Sequence, residues 1–278
     1  MSRSHKHSRH ILSLSGGKDS AALAVYMRDR VPDMEYVFHD TGHELPETYD
    51  YLDRLEVLLG RPIDRSTASL IGSGEHDTPF DHWLVMYGGM IPSNHRRWCT
   101  KMMKLKPFED YVGDDPVINY VGLRADERMR EGYISTKPNI KAIYPFQEDG
   151  LVKEDIVQIL EESGLGMPPY LDWGRSRSGC YFCFYQQKIE WVRLKEAHPD
   201  LYEKAKRYEE QSVINGEEFF WCQTESLAEL EQPERVAEIK AKDEARRNAP
   251  RRPTRLVEML GGADVIEEER EGCLICFL

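Results

Sequence analysis

The stretch HILSLSGGKDSAALAVYMRD constrains the fold of this chain more than any other. Ile11, Leu12 and Leu14 read as a short buried strand. A glycine turn then leads into Ala21, Leu23, Ala24, Val25 and Met27, which read as the apolar residues of a helix. A second strand follows in EYVFHD and ends in the polar turn DTGHE. Pro46 then opens an amphipathic run, ETYDYLDRLEVLLG, that reads as a helix stopping at Gly60. Strand, helix, strand, helix at this spacing implies right-handed crossovers and a parallel sheet. Ligands on such sheets sit beyond the carboxyl ends of the strands, where SGGKDS and DTGHE both fall.

Further along, PVINYVGLRADER predicts a strand from Val117 to Val121 that runs into a glycine turn and a charged loop at the same edge. YPFQEDGLVKEDIVQILEESGLG reads as a strand end and one more helix. Beyond it Gly166, Pro168 and Pro169 are unsuited to continuing a helix, which places a boundary near Gly164. The 278 residues are enough for one substantial α/β domain with its own core and a smaller module. The expected organisation is an α/β parallel-sheet domain over residues 1–164 and a mainly helical, cysteine-containing C-terminal module over 165–278. The charged runs QKIEWVRLKEAHPDLYEKAKRYEEQ and PERVAEIKAKDEARR supply the helices of that module.

No apolar run is long enough to cross a bilayer, and MSRSHKHSRH lacks the apolar core of a signal peptide, so a cytoplasmic location without a membrane partner is expected. The formal charge of -12 argues against wholesale, non-specific binding to nucleic acid. Two local runs are nevertheless basic, HRRWCTKMMKLKP from His95 and ARRNAPRRPTR from Ala245. Their Lys and Arg side chains suit phosphate contacts and Trp98 suits stacking on a base, while a solvated helix face or a protein-docking patch is the plainer meaning of the second run.

The chemistry concentrates in Ser15-Gly16-Gly17-Lys18-Asp19-Ser20. Two glycines let backbone N–H groups close around a phosphate at the start of a helix, whose dipole favours negative charge. Lys18 adds a full positive charge, and the Ser15 and Ser20 hydroxyls add directional donors. The G-x-x-x-x-G-K-[ST] spacing of a Walker A loop is absent. A glycine turn that merely joins strand to helix has no packing use for a lysine and two hydroxyls.

SGGKDS after a first strand resembles the signature of the PP-loop, or adenine nucleotide alpha hydrolase, superfamily. Within it, Asp40-Thr41-Gly42-His43-Glu44-Leu45-Pro46-Glu47-Thr48 resembles the D-T-G-x-E-x-P-E-T segment of the PAPS reductase-like branch, and Gly122 to Arg128, GLRADER, resembles that branch's second substrate loop. The resemblance implies ATP with its triphosphate on the loop, its adenine near the second strand, and Mg²⁺ shielding a pyrophosphate leaving group. Asp40 is then the candidate for Mg²⁺ or ribose, and Arg124 for pyrophosphate or an anionic substrate. Catalytic candidates are Lys18, Asp19, Asp40 and Arg124. The nucleotide-binding set is Ser15, Gly16, Gly17, Lys18, Asp19, Ser20, Asp40, Thr41, Gly42, Gly122 and Arg124. Glu47 reads equally as an N-terminal helix residue, and Glu127 as a partner for Arg124 or Arg128.

The six cysteines fit no disulfide framework in a reducing compartment. Cys180-x-x-Cys183 and Cys273-x-x-Cys276 have the separation that lets two thiolates from one turn grip a metal or cluster, while Cys99 and Cys222 stand alone. RRWCT around Cys99 and SGCYFCFYQQKIEW resemble the cysteine segments of iron-sulfur-containing relatives, with Thr100 where those have a second adjacent cysteine. That implies a 4Fe-4S cluster on Cys99, Cys180, Cys183 and one of Cys273 or Cys276. A structural Zn²⁺ on the two C-x-x-C pairs is the competing arrangement, and Cys222 reads as buried and inert.

The combination resembles the ATP-pyrophosphatases of DNA phosphorothioation systems and, more distantly, tRNA-thiolating enzymes. It implies cleavage of ATP to AMP and pyrophosphate to adenylate an acceptor, with DNA or tRNA as substrate, a cysteine desulfurase as sulfur donor, and other modification-complex proteins as partners. Two alternatives stand beside it: an adenosine phosphosulfate reductase releasing sulfite, and a nucleotide-binding subunit without turnover. The intact Lys18 favours ATP cleavage, and the ending EGCLICFL does not reproduce the E-C-G-L-H of the reductases.

Overall fold

A computed structural model describes residues 8–65, 78–127, 137–214, 216–222 and 224–249. In chain order its first half runs β1 (Arg9–Leu14), α1 (Lys18–Met27), β2 (Met34–Phe38), α2 (Pro46–Leu59), β3 (Ile63–Asp64), α3 (Pro79–Met86), α4 (Trp98–Thr100), α5 (Lys106–Val112) and β4 (Val117–Tyr120). The second half continues with β5 (Ile140–Ile143), α6 (Pro145–Glu148), α7 (Lys153–Glu162), α8 (Lys188–Ala197), α9 (Pro199–Gln211), β6 (Val213–Ile214), β7 (Glu217–Glu218), α10 (Leu227–Leu230) and α11 (Pro233–Asn248). The first five strands form one parallel sheet in the order β3-β2-β1-β4-β5. The α/β parallel-sheet expectation holds, and a helical C-terminal region follows it.

Side-chain alternation along β1 assigns the two faces of the sheet. Leu12 and Leu14 join Tyr36, Phe38 and Tyr120 against α1, α2 and α7, where Ala21, Leu23, Leu52, Leu55, Ile156 and Leu160 are buried. Ile11, Val37 and Val117 face the other way onto Phe108 and Val112 of α5. Local signals set the helix ends. Pro46 starts α2 and Gly60 ends it, while the Asp155 carboxylate accepts the Val152 N–H at 2.8 Å at the start of α7. A π-helical turn, Lys101–Leu105, joins α4 to α5.

A second core is aromatic. Phe80 is fully buried with its ring centroid 4.5 Å from Phe182, 5.2 Å from Trp98 and 5.3 Å from Tyr208. Full burial of a side chain of this size contributes about 1.5–3 kcal/mol. Along the chain the sheet-side core reaches Leu165 and Met167. The aromatic core joins residues 170–239 to Leu45, Leu84, Ile91, Trp98 and Met103 from upstream. Trp98, read from sequence as a base-stacking residue, is instead only 5 % exposed. It stacks on Tyr87 and donates its indole N–H to the Met90 carbonyl. In the second basic run, the described Arg246 and Arg247 both pair with Asp243, a buried carboxylate that also accepts from Arg193 of α8.

Glu209 ties this region together: its carboxylate accepts the Trp221 N–H at 2.8 Å and the Leu227 N–H at 2.7 Å. Burial pushes the carboxyl up to about 7, against these two N–H donors, which favour its charged form. A carboxyl raised on folding binds its proton more tightly in the folded state. Its contribution to stability is therefore full below the unfolded carboxylate range and lost as pH rises to about 7. Thermal melts of the wild type between pH 5 and 8 are predicted to show this loss, and Glu209→Gln is predicted to flatten the profile. Parallel profiles for the two proteins would contradict the assignment.

Candidate nucleotide site

In a parallel sheet of this order, the chain leaves β1 towards β2 on one side and returns to β4 on the other, so a crevice opens at the carboxyl ends of β1 and β4. The loop Ser15 to Ser20 lies at that point. Gly16 has φ +69°, and a methyl group there would meet Thr48 Cγ2 at 2.4 Å, so glycine answers both a left-handed turn and a close approach. Gly17, the cap residue of α1, has no side chain to cap the helix, and its own N–H donates to the Ser15 hydroxyl at 3.3 Å. The Ser15 and Ser20 hydroxyls lie 3.0 Å apart. The Ser20 hydroxyl donates to the Gly17 carbonyl at 3.1 Å and accepts the Ser15 N–H at 3.1 Å. Both serines thus hold the loop's shape, a use that the sequence reading did not assign to them.

Asp19, 6 % exposed, sits at the centre. Its Oδ2 accepts from Lys18 Nζ at 2.8 Å and its Oδ1 from Arg124 Nη1 at 2.8 Å. Burial pushes the carboxyl up, but Lys18 and Arg124 together outweigh it and hold the group below its ordinary value. Arg124 also reaches Asp126 at 2.9 Å and Glu127 at 3.5 Å, so it acts in the described arrangement as a clamp across the crevice. Gly122 permits this approach, because a methyl group there would stand 3.1 Å from the Asp19 carbonyl oxygen.

The DTGHE turn after β2 divides its work. Asp40 Oδ1 accepts from the Gly42 N–H at 2.8 Å and from the Tyr49 hydroxyl at 2.7 Å, leaving Oδ2 without a hydrogen bond among the described residues. Thr41 is buried, its hydroxyl 3.2 Å from Glu44 Oε1 and 3.1 Å from Cys180 Sγ. His43 enters the aromatic core against Phe182 and Phe80, with Nε2 2.9 Å from the Thr78 hydroxyl, and burial pushes its pKa down to about 4. Glu47, ambiguous in sequence, accepts from Trp173 Nε1 at 3.0 Å and His198 Nε2 at 2.7 Å, which latches α2 to the C-terminal region.

Cys180 and Cys183 lie on one turn whose backbone bond, Cys183 N–H to Cys180 carbonyl, is 3.0 Å. Cys99, Cys180, Cys183 and Cys222 all pack against the aromatic core. Burial, and then neighbouring Glu44, push the Cys180 thiol up, against the pull of Lys104. Burial pushes the Cys222 thiol up to about 12, as an inert cysteine requires. Among the described residues no three His, Cys, Asp or Glu side chains converge closely enough to hold a metal ion. Cys273 and Cys276 lie outside the described residues, as does Arg128.

Sequence reasoning passed over Ser178 and gave Glu44 no role of its own; it read Arg175, with Arg96, Arg97 and Arg177, only as positive charge beside the cysteine thiolates. Glu44 is buried, with Oε2 lacking a hydrogen-bond partner among the described residues. Arg175 is 1 % exposed and donates to the carbonyls of Arg177, Gly179 and Cys180 and to Gln186 Oε1, fixing the loop that carries Ser178 and the cysteines. The cluster of Arg and Ser in GRSRSGC is the one local signal that pointed to this loop.

Among the described residues no helix is long and apolar enough to cross a membrane. Comparison with known proteins finds several relatives. An uncharacterized protein of Methanocaldococcus jannaschii is 25% identical over 83% of this chain and 55% of its own length. A second from that organism is 30% identical over 70% of this chain and 40% of its own length. The chain thus spans about half the length of these archaeal relatives. An uncharacterized nin region protein of Escherichia phage lambda is 28% identical over 64% of this chain and 67% of its own length. Among solved structures, a PAPS reductase from Candida auris aligns over 62% of this chain and 81% of its own, with 14% identity and a TM-score of 0.47. The family model for the phosphoadenosine phosphosulfate reductase domain matches residues 9–186, a span that covers the whole sheet, both site loops and the Cys180 turn; the chain belongs to that family.

Proposed function

We propose that the chain is an ATP-pyrophosphatase that adenylates an acceptor for sulfur incorporation into nucleic acid, with DNA phosphorothioation as the leading case. The observation that carries this reading is the intact SGGKDS loop at the sheet's switch point, with Lys18 and Arg124 both bonded to Asp19 at the start of α1. An acceptor oxygen attacks the α-phosphorus, the bond to the β-phosphate oxygen breaks, and pyrophosphate leaves as the adenylyl group passes to the acceptor. With water as acceptor the products are AMP and pyrophosphate. Backbone N–H groups at the start of α1 and the Lys18 ammonium face the charge that develops on the leaving group.

The residues present fit a Mg²⁺ ion: Asp40 Oδ2 is the candidate oxygen, and the ion would supply charge neutralisation on the pyrophosphate. A 4Fe-4S cluster fits less completely. Cys99, Cys180 and Cys183 pack against one core but do not converge as a ligand set among the described residues, so the arrangement does not fit the cluster as it stands and no chemical step is assigned to it.

A second reading, reduction of adenosine phosphosulfate to sulfite, is supported by the family match and by an adenosine 5'-phosphosulfate reductase of Staphylococcus haemolyticus, 26% identical over 48% of this chain and 53% of its own length. Against it stand the intact Lys18 and the ending EGCLICFL, which does not reproduce the E-C-G-L-H of the reductases.

Lys18→Ala is predicted to lower pyrophosphate release from ATP by about a hundredfold or more while leaving the circular dichroism spectrum unchanged. Retained turnover would remove Lys18 from the chemistry. Anaerobically purified protein is predicted to carry iron and acid-labile sulfide that Cys180→Ser loses. Colourless protein holding stoichiometric zinc would replace the cluster with a structural metal site.

A further inference from the structure

We infer that Tyr87, carried on Trp98 beside Arg96, is a stacking platform for an unpaired base of the acceptor nucleic acid. The inference rests on the nucleic-acid reading above and adds residues that it does not use. Its first support is the platform itself. Tyr87 follows the last turn of α3 and is 38 % exposed, although one face of its ring lies on Trp98, with centroids 5.1 Å apart and planes 11° from parallel. Trp98 is in turn fixed by the Met90 carbonyl and by Phe80 of the aromatic core. The exposed ring is therefore held rigidly from below, as a base-stacking side chain must be if ordering it is not to cost affinity.

The second support is charge. From His95 to Phe108 the chain carries Arg96, Arg97, Lys101, Lys104 and Lys106 and no carboxylate, within a protein whose net charge is -12. The structure brings this run to the platform. The Tyr87 carbonyl accepts the Met90 N–H at 3.4 Å, Met90 Sδ accepts from Arg96 Nη1 at 2.7 Å, and the Ser93 and Arg96 backbones are bridged. Among the described residues Arg96 contacts no carboxylate, and its guanidinium carbon lies 5.8 Å from the Phe219 ring centroid. An exposed aromatic ring beside an exposed guanidinium suits a base and its phosphate. A ring can stack only on a base that is free of its own neighbours, which selects single strands, loops and flipped nucleotides over intact duplex.

The third support is position. A methyl group at Gly42 would stand 3.2 Å from Thr78 Cβ and 3.7 Å from Pro79 Cδ, so α3 starts against the DTGHE turn of the nucleotide site. The helix is 8 residues long, which puts Tyr87 about 12 Å further on. A strand held at Tyr87 thus lies within a few nucleotides of the crevice.

Fluorescence anisotropy with a labelled oligothymidylate, single-stranded or annealed to oligodeoxyadenylate, tests the assignment. Tyr87→Ala in the full chain is predicted to weaken the single strand by roughly tenfold, the scale of one lost base–aromatic stack, and to leave the duplex affinity unchanged. Tyr87→Phe is predicted to keep the wild-type affinity, and Arg96→Gln to weaken both forms alike and reduce the salt slope by about one. Wild-type single-strand affinity in Tyr87→Ala would overturn the inference alone and give the exposed strip Val85 to Tyr87 to a protein partner. An equal loss for single strand and duplex, or a loss shared by Tyr87→Phe, would overturn it as well. A wild type that binds neither form would overturn the nucleic-acid reading and this inference with it.

Discussion

The buried carboxylate of Asp19 organises the site. An ionised carboxylate this far from water is costly unless it is paired and hydrogen-bonded on both oxygens, and here Lys18 takes one oxygen and Arg124 the other. Lys18 belongs to the same helical turn, whereas Arg124 comes from the loop after β4, 105 residues away. One charge thus joins the two strands that flank the crevice and fixes the distance between their loops. Removing either cation would leave a buried carboxylate half-compensated, and removing the carboxylate would leave two cations repelling across the crevice.

The rest of the molecule braces that arrangement from the other side. His43 carries the β2 turn into the aromatic core, and its carbonyl accepts the Tyr181 N–H at 2.9 Å. Glu47 holds Trp173 and His198, and Ser178 rests against Gly17. The C-terminal region is therefore part of the site's architecture. That region also brings Cys180 within 3.1 Å of Thr41, so the thiols and the β2 turn share one buried neighbourhood.

Much of this was legible because its causes are local. The β1 strand, the glycine loop and α1 follow one another within twenty residues, and α2 is bounded by Pro46 and Gly60 as read. What escaped the reading has non-local or irregular causes. β3 is two residues long at the sheet edge and carries too little pattern to be seen. The helical stretch from Trp98 to Val112 buries Trp98, Met103, Phe108 and Val112 at spacings of five, five and four, because the π-helical turn breaks the 3.6-residue period and the basic run hides what remains. Trp98 reads as an exposed aromatic among arginines only because Phe80 and Tyr87, which cover it, are distant in sequence. The choice of Asp19, Lys18 and Arg124 as site residues came from motif and resemblance; their mutual pairing is a tertiary fact that no spacing contains.

The most direct test follows the fate of the phosphates. Phosphorus NMR of ATP and Mg²⁺ incubated anaerobically with the full chain, with and without DNA or tRNA, separates the possible products. A site built to stabilise a departing pyrophosphate at the start of α1 predicts AMP, free or joined to an acceptor, and pyrophosphate in equal amounts. ADP with orthophosphate, or unchanged ATP beside sulfite formed from adenosine phosphosulfate, would contradict the account.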